Sequence, residues 1–430
     1  MNFDHSIFPK DFMWGASVSA HQIEGGNVNN WTEWELSHAS ELAKAAANRN
    51  GRTLTGDEIP NWKEVKNDAT DPSNYVSGKG VDHYNRYKED FKLLHQLRLN
   101  SFRFGIEWAR IEPEEGKWDE LAIEHYRDYI AELNKLGIEP ILNIWHYTMP
   151  TWFAQKGGLV RHGNLRYWRR YVQKIAEEFG KNIKYIITIN EPNVYASFSY
   201  ILGLWPPQEK KPVQAARVVY NQISAHKQAY RILKRGNPQL QIGIASQLAN
   251  IQAKRPHNIF DGFSTKIMRY VWNWFFFKRI RKYQDFVGFN YYFSDYYTGI
   301  MKRDNPKVPY SDVGWYMEPE GLYPLLIRAW ARYKKPIIIT ESGVADREDK
   351  YRRWWLEECI VAMERAISEG VDLRGFLYWS LLDNFEWAEG WWPKFGLVAV
   401  DRDDDMKRTI RSSARWFAGK IKSFQYIDKP

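Results

Sequence analysis

Short β-branched or aromatic runs alternate along this chain with stretches of helical period. The runs lie at Phe12–Ala16, Ser101–Ile106, Glu139–Trp145, Tyr185–Asn190, Gln241–Ser246, Phe286–Tyr291, Pro336–Thr340 and Gly375–Trp379. Several, such as Ile337-Ile338-Ile339, are apolar without alternation, the pattern of strands covered on both faces. Between them, Leu121–Leu136 places Ala122, Tyr126, Tyr129, Ile130 and Leu133 on one stripe, with Gly137 positioned as a C-cap. Asp82–Leu97, Tyr167–Phe179, Val213–Leu233 and Arg352–Ile367 share that period. Eight strands alternating with helices predict an α/β fold, a (β/α)8 (TIM) barrel with residues 1–430 as a single domain. An open doubly wound sheet is the other arrangement, but no Gly-rich phosphate loop opens a helix after any strand. Two stretches depart from the repeat. Residues 37–80 are polar and rich in Gly, Asn, Asp and Pro, and read as an insertion-like loop with one short helix at Leu42–Ala47. Residues 295–321 read as a second long loop. Both follow barrel strands, which places them at the mouth where active sites lie.

Composition narrows the class. With 430 residues, 44% hydrophobic and 26% charged, the chain can bury a large core and is not a disordered polymer. One cysteine, Cys359, allows neither an intrachain disulfide nor a Cys-based zinc cluster. The start, Met1 to Ser6, lacks the charged and apolar segments of a signal peptide, and no run approaches the roughly 18 apolar residues of a membrane helix. A cytoplasmic protein is the expectation. The net charge of +9 comes from Lys and Arg scattered along the chain, so no nucleic-acid partner is expected. The sharpest basic cluster, Lys278–Lys282, follows Val271–Phe277. Residues 271–282 read as a helix buried on one side with a solvated end, so no membrane partner is expected. A surface-seeking amphipathic helix is the alternative. The 21 Trp, 26 Tyr and 22 Phe supply flat apolar faces that serve either a core or stacking on sugars or bases.

Two carboxylates stand where a barrel keeps its chemistry. Ile186-Ile187-Thr188-Ile189-Asn190 runs straight into Glu191, and Ile337-Ile338-Ile339-Thr340 runs into Glu341. These are the fourth and seventh strands, which face one another across an eight-stranded barrel. Glycoside hydrolysis needs one protonated carboxyl for the leaving oxygen and one ionised carboxylate for the anomeric carbon; a separation of about 5–5.5 Å gives retention. Arg103 sits inside an apolar strand, where an unpaired cation is costly, and Glu341 is the natural partner. Asn190 could bond a sugar hydroxyl, and His146 ends the third strand.

With these residues in view, the chain resembles glycoside hydrolase family 1, the β-glucosidase and β-glycosidase family, from about Phe8 to Phe417. Four motifs carry the resemblance in order: Phe12–Ala16 with His21-Gln22-Ile23-Glu24-Gly25, Thr188–Pro192, Ile339–Gly343, and Tyr378–Trp387. The resemblance implies Glu191 as acid and then base, and Glu341 as nucleophile. It implies Gln22, His146, Asn190, Glu386 and Trp387 as holders of the sugar hydroxyls, with Trp379 as the floor beneath the ring. Asn290 and Tyr292 would lie beside the nucleophile, Tyr292 and Arg103 would bond to it, and Phe395 would line the site. It implies no metal and no organic cofactor. The partners would be small β-glycosides or oligosaccharides. Glu386-Trp387, absent from relatives that take 6-phosphosugars, implies an unphosphorylated sugar, with glucose the first glycone and galactose or fucose further ones.

Four departures from the family pattern stand out. Ser342 replaces an Asn, Tyr147 replaces a Trp, the Ser37–Gly80 insertion differs from the usual spacing, and Met268–Lys282 does not align. Two other readings stay open on these residues. One is a non-catalytic protein that docks through its basic charge, and the other keeps the chemistry but favours transglycosylation over hydrolysis.

Overall fold

The computed structural model describes residues 7–306 and 308–425. Met1 to Ser6, read above for a leader, lies outside these. Eight parallel strands form the centre: β1 (Met13–Ser17), β2 (Ser101–Gly105), β3 (Glu139–Asn143), β4 (Tyr185–Asn190), β5 (Gln241–Ala253), β6 (Val287–Thr298), β7 (Ile337–Ser342) and β8 (Leu373–Trp379). Each pairs with its sequence neighbours, β1 pairs with β8, and the sheet is therefore a closed (β/α)8 barrel. Met13, Ile141, Ile187, Ala245, Phe286, Ile338 and Leu377 form one cluster contributed by strands all around the barrel. A larger apolar layer joins the strands to the surrounding helices. Strands buried on both faces explain why their sequence does not alternate.

The helices start and stop for local reasons. The Glu120–Lys135 helix is capped by Asp119, whose carboxylate accepts from the Ala122 N–H at 3.0 Å, and it buries Ala122, Ile123, Tyr126, Tyr129, Ile130 and Leu133. Gly137 just beyond it takes φ +70, a conformation most side chains disfavour. No helix among the described residues is long and apolar enough to cross a membrane.

Both presumed loops contain regular structure. Residues 37–80 are not a loop with one short helix. A 20-residue helix, Asn30–Arg49, runs into them, and a second follows at Trp62–Ala69. Asn29 caps the first by accepting from the Trp31 and Thr32 N–H groups at 2.9 and 3.1 Å. Its buried residues are Trp31, Trp34, Glu35, Ala39, Leu42, Ala43 and Ala46. Three of the seven are alanine and one is a glutamate, so the stretch looks polar although its period is helical. Residues 295–321 begin as strand, because β5 and β6 continue past the barrel rim and stay paired from Asn250↔Ser294 to Ala253↔Tyr297. The two-residue strand Lys302–Arg303 then folds back on Tyr297 and Thr298. The 271–282 segment is the end of a helical run, Ile259–Met268, Arg269–Trp274 and Phe275–Ile280, with a π-helical middle. Trp274, Phe276, Phe277 and Ile280 are buried, so its apolar side faces the protein, as the first of the two readings held.

Close packing between strands gives a stability test. A Cβ on Gly15 in β1 would meet the Ser101 carbonyl oxygen at 2.5 Å and Leu377 at 2.6 Å, whereas one on Gly262 would meet nothing. Gly15→Val is expected to cost about 1–3 kcal/mol by overpacking. Gly262→Ala, inside an exposed helix, is expected to gain up to about 1 kcal/mol. Thermal melts of the two variants should therefore move in opposite directions.

Candidate active site

The site begins with Arg103, the middle residue of β2 and fully buried. Its guanidinium pairs with Glu341 of β7 and donates through Nη2 to Asn190 Oδ1 at 2.7 Å. Tyr292, at the rim end of the barrel part of β6, donates to the other oxygen of Glu341 at 2.5 Å. Glu191 follows β4 directly, at φ +40. Asn290 donates to its Oε1 at 2.8 Å, and Tyr147 donates to its Oε2. Asn290 is also the β-ladder partner of Glu341, so one amide joins the surroundings of both carboxyls.

The two carboxyls differ in environment. Glu341 has a cation against it. Glu191 has only neutral donors, and burial followed by the charge of Glu341 pushes its pKa up to about 8. The shift favours its protonated form. Burial, with the charge of Arg103 next, pushes His146 well below the usual imidazole range, so it stays neutral. Its Nε2 faces the Asn190 amide at 2.9 Å and its Nδ1 faces the Asn143 amide at 3.1 Å.

Both carboxyls open on one cavity of about 530 Å³. His146, Asn190, Tyr292, Trp379, Glu386, Trp387 and Phe395 share its wall with them. Glu386 accepts from Asn384 at 2.9 Å and from Gln22 at 3.4 Å, and burial pushes it up to about 8. Trp387 lies parallel to His21 at 5.7 Å and is boxed by Trp31, Tyr147 and Trp205. Glu191, Tyr147 and Trp387 all sit at positive φ. Backbone strain of this kind, about 1–3 kcal/mol each, gathers where geometry serves a function. Three of the expected site residues stand behind the wall. Arg103 and Asn290 hold the carboxyls, while Gln22 donates to the Phe385 carbonyl at 2.8 Å and braces Glu386. Ser342 turns away from the cavity and accepts from Trp355 at 3.1 Å.

The sequence reading missed Tyr147 as a partner of Glu191; its signal was the exchange of an indole for a phenol beside His146. It also missed Phe198, Trp205, Trp272 and Trp315, which complete the wall from connections whose length no periodicity announces.

A closed barrel with two unlike carboxyls at the C-terminal ends of its fourth and seventh strands is the build of a barrel glycosidase. The Glycosyl hydrolase family 1 model matches residues 4–278 and 276–425. "Beta-glucosidase A" of Thermotoga maritima is 30% identical over 97% of this chain and 98% of its own length. A solved "beta-glycosidase from Pyrococcus horikoshii" superimposes with a TM-score of 0.83 at 31% identity, covering 97% of this chain and 95% of that one. The Thermotoga maritima β-glucosidase in complex with glucoimidazole gives 0.84 at 28%, covering 97% and 99%. The chain belongs to glycosyl hydrolase family 1 and is a retaining O-glycoside hydrolase.

The hydrogen bond from Tyr147 favours the charged form of Glu191. Tyr147→Phe removes it, so Glu191 should keep its proton to higher pH. The alkaline limb of the kcat/KM profile for an aryl β-glucoside is expected to move upward. An unmoved limb would show that the phenol does not act on the acid.

Proposed function

We propose that this enzyme releases terminal, unphosphorylated β-linked glucose, and also galactose or fucose, with Glu341 as nucleophile and Glu191 as acid and base. A Glu341 oxygen attacks the anomeric carbon while the bond from that carbon to the leaving oxygen breaks. Glu191 gives its proton to that oxygen. Water then attacks the same carbon, Glu191 takes the water's proton, and the Glu341 carboxylate is released. The observation that carries this reading is the asymmetry of the pair: one cavity, with a buried arginine against Glu341 and none against Glu191. Once the ester forms, the charge that raised Glu191 is gone, and the same residue can then act as base.

The glycone would rest on Trp379, with its hydroxyls bonded by His146, Asn190 and Glu386, Gln22 behind Glu386, and Trp387 and Phe395 enclosing it. Glu386 can meet two neighbouring hydroxyls, and this allows either 4-hydroxyl configuration. Among the described residues lining the cavity the only cationic side chain is Arg303, which is already paired with Asp57. A sugar phosphate would therefore find no free positive partner, and an unphosphorylated sugar is favoured. The outer wall, with Phe198, Trp272 and Met268, leaves the aglycone in apolar surroundings.

Substitution separates the two roles. Glu341→Gln is expected to lower kcat on 4-nitrophenyl β-glucoside by at least about 10⁴-fold, since no ester can form. Glu191→Gln should cost about 10²–10⁴-fold on alkyl glucosides but far less in glycosylation of 2,4-dinitrophenyl β-glucoside, whose leaving group needs no proton. The parent profile should be bell-shaped, its alkaline limb following Glu191. A flat profile, or full activity in Glu341→Gln, would overturn the assignment. Activity on 4-nitrophenyl β-glucoside 6-phosphate equal to that on the unphosphorylated form would overturn the specificity.

A further inference from the structure

The outer part of the cavity is mixed: Thr53, Thr55, Asp57, Asp295 and Arg303 stand on its wall beside apolar side chains. Met268 and Met301 line it, and both belong to elements that continue onto the outer surface. On the Ile259–Met268 helix, Ile259, Phe260 and Phe263 are 78%, 60% and 67% exposed. The turn that carries Met301 is fastened to this helix. The Gly299 N–H donates to Asp261 at 2.8 Å, and Ser264 Oγ donates to the Gly299 carbonyl at 2.6 Å and accepts from the Met301 N–H at 3.2 Å. This sets Ile300 and the half-exposed Met301 beside the helix's apolar residues. Single exposed apolar side chains are ordinary; five on two joined elements are a patch that calls for a partner.

Charge selects the partner. Residues 254–282 carry eight Lys or Arg and one acidic residue, Asp261, a local net charge of +7, so the positive charge is more concentrated than the scatter expected above. Asp261 is already occupied by Arg255. A second copy of this chain would bring the same positive field against the patch, which opposes self-association. An anionic lipid surface offers both complements at once, acyl chains for the aromatic residues and negative headgroups for the lysines and arginines. The exposed apolar face lies at 259–263, not in the 271–282 segment, whose own apolar residues are largely buried.

We propose that the enzyme rests on anionic lipid through Phe260, Phe263 and Ile300, and draws from it β-glycosides whose long apolar aglycone lies along Met301, Met268 and Trp272. The inference depends on the glycosidase reading of Glu191 and Glu341 for the chemistry, and on the patch for the source of substrate. A glycoside anchored by its alkyl chain would enter with its sugar leading toward the carboxyls and its chain against Met301, Met268 and Trp272.

Three measurements on the full chain test it. Hydrolysis of 4-nitrophenyl β-glucoside checks the chemistry alone; its absence would fault the catalytic reading, not the patch. With that activity present, kcat/KM for alkyl β-glucosides below their micellar concentrations should rise at least tenfold from butyl to octyl. Cosedimentation should be strong with vesicles containing phosphatidylglycerol and weak with pure phosphatidylcholine. Phe260→Ser with Phe263→Ser should lose most of the vesicle binding while keeping 4-nitrophenyl β-glucoside activity within about twofold. A flat chain-length series, absent or headgroup-independent vesicle binding, or binding unchanged in the double variant would overturn the proposal. So would a dimer in solution that the double variant splits, because the patch would then belong to a second copy.

Discussion

Arg103 is a full positive charge in the middle of a barrel strand, with no exposure to solvent. A cation there is tolerable only if an anion and further acceptors surround it. Glu341 supplies the anion, and Asn190 and the Thr340 carbonyl supply acceptors. Removing one partner of such a pair costs about 3–5 kcal/mol, because the other charge is left buried and alone. The pairing that neutralises this buried charge is thus the one that fixes Glu341, the carboxylate proposed to attack. Arg103 also holds Asn190, the residue directly before Glu191. Both Glu341 oxygens are occupied, one by Arg103 and one by Tyr292, so that group is held in place. Glu191, without a cation against it, is the one proposed to carry the proton.

The cavity continues this division of labour. Its inner end is polar but crowded, with His146, Asn190 and Glu386 tied into the surrounding network and aromatic rings closing the sides. Its outer end is built from extensions of the barrel: the β5–β6 ribbon above the rim and the helical run 259–280. At the inner end the polar groups are oriented by second bonds, as the proposed recognition of sugar hydroxyls requires. At the outer end Phe198, Met268, Trp272 and Trp315 add apolar surface beside the Arg303–Asp57 pair.

The barrel strands were legible because burial on both faces leaves short apolar runs spaced by helical stretches. All eight fall where the runs lie, and Glu191 and Glu341 stand at their ends because the runs stop there. The Asn30–Arg49 helix was not legible at full length, since alanines at 39, 43 and 46 bury well without reading as apolar. The overshoot of β5 and β6 was hidden for a related reason: Asn250, Asp295 and similar polar residues break the runs, although the strands stay paired through them. Gln22 and Asn290 were visible as site residues but not as supports, because a sequence shows which groups meet the mouth and not which lie a layer behind. Tyr147 shows the same limit, since its bond to Glu191 depends on a backbone turn at φ +73 that no motif encodes.

The claim beneath all of this is that Glu341 attacks and Glu191 moves the proton, from opposite faces of one sugar. Azide rescue tests it most directly, because a small anion enters the space a deleted carboxylate leaves. With an aryl β-glucoside of good leaving ability, Glu341→Gly should be rescued to give the α-glucosyl azide, since azide then occupies the nucleophile's face. Glu191→Gly should give the β-glucosyl azide, since azide then attacks the Glu341 ester from the other side. The same anomer from both variants, or the two anomers exchanged, would contradict the account.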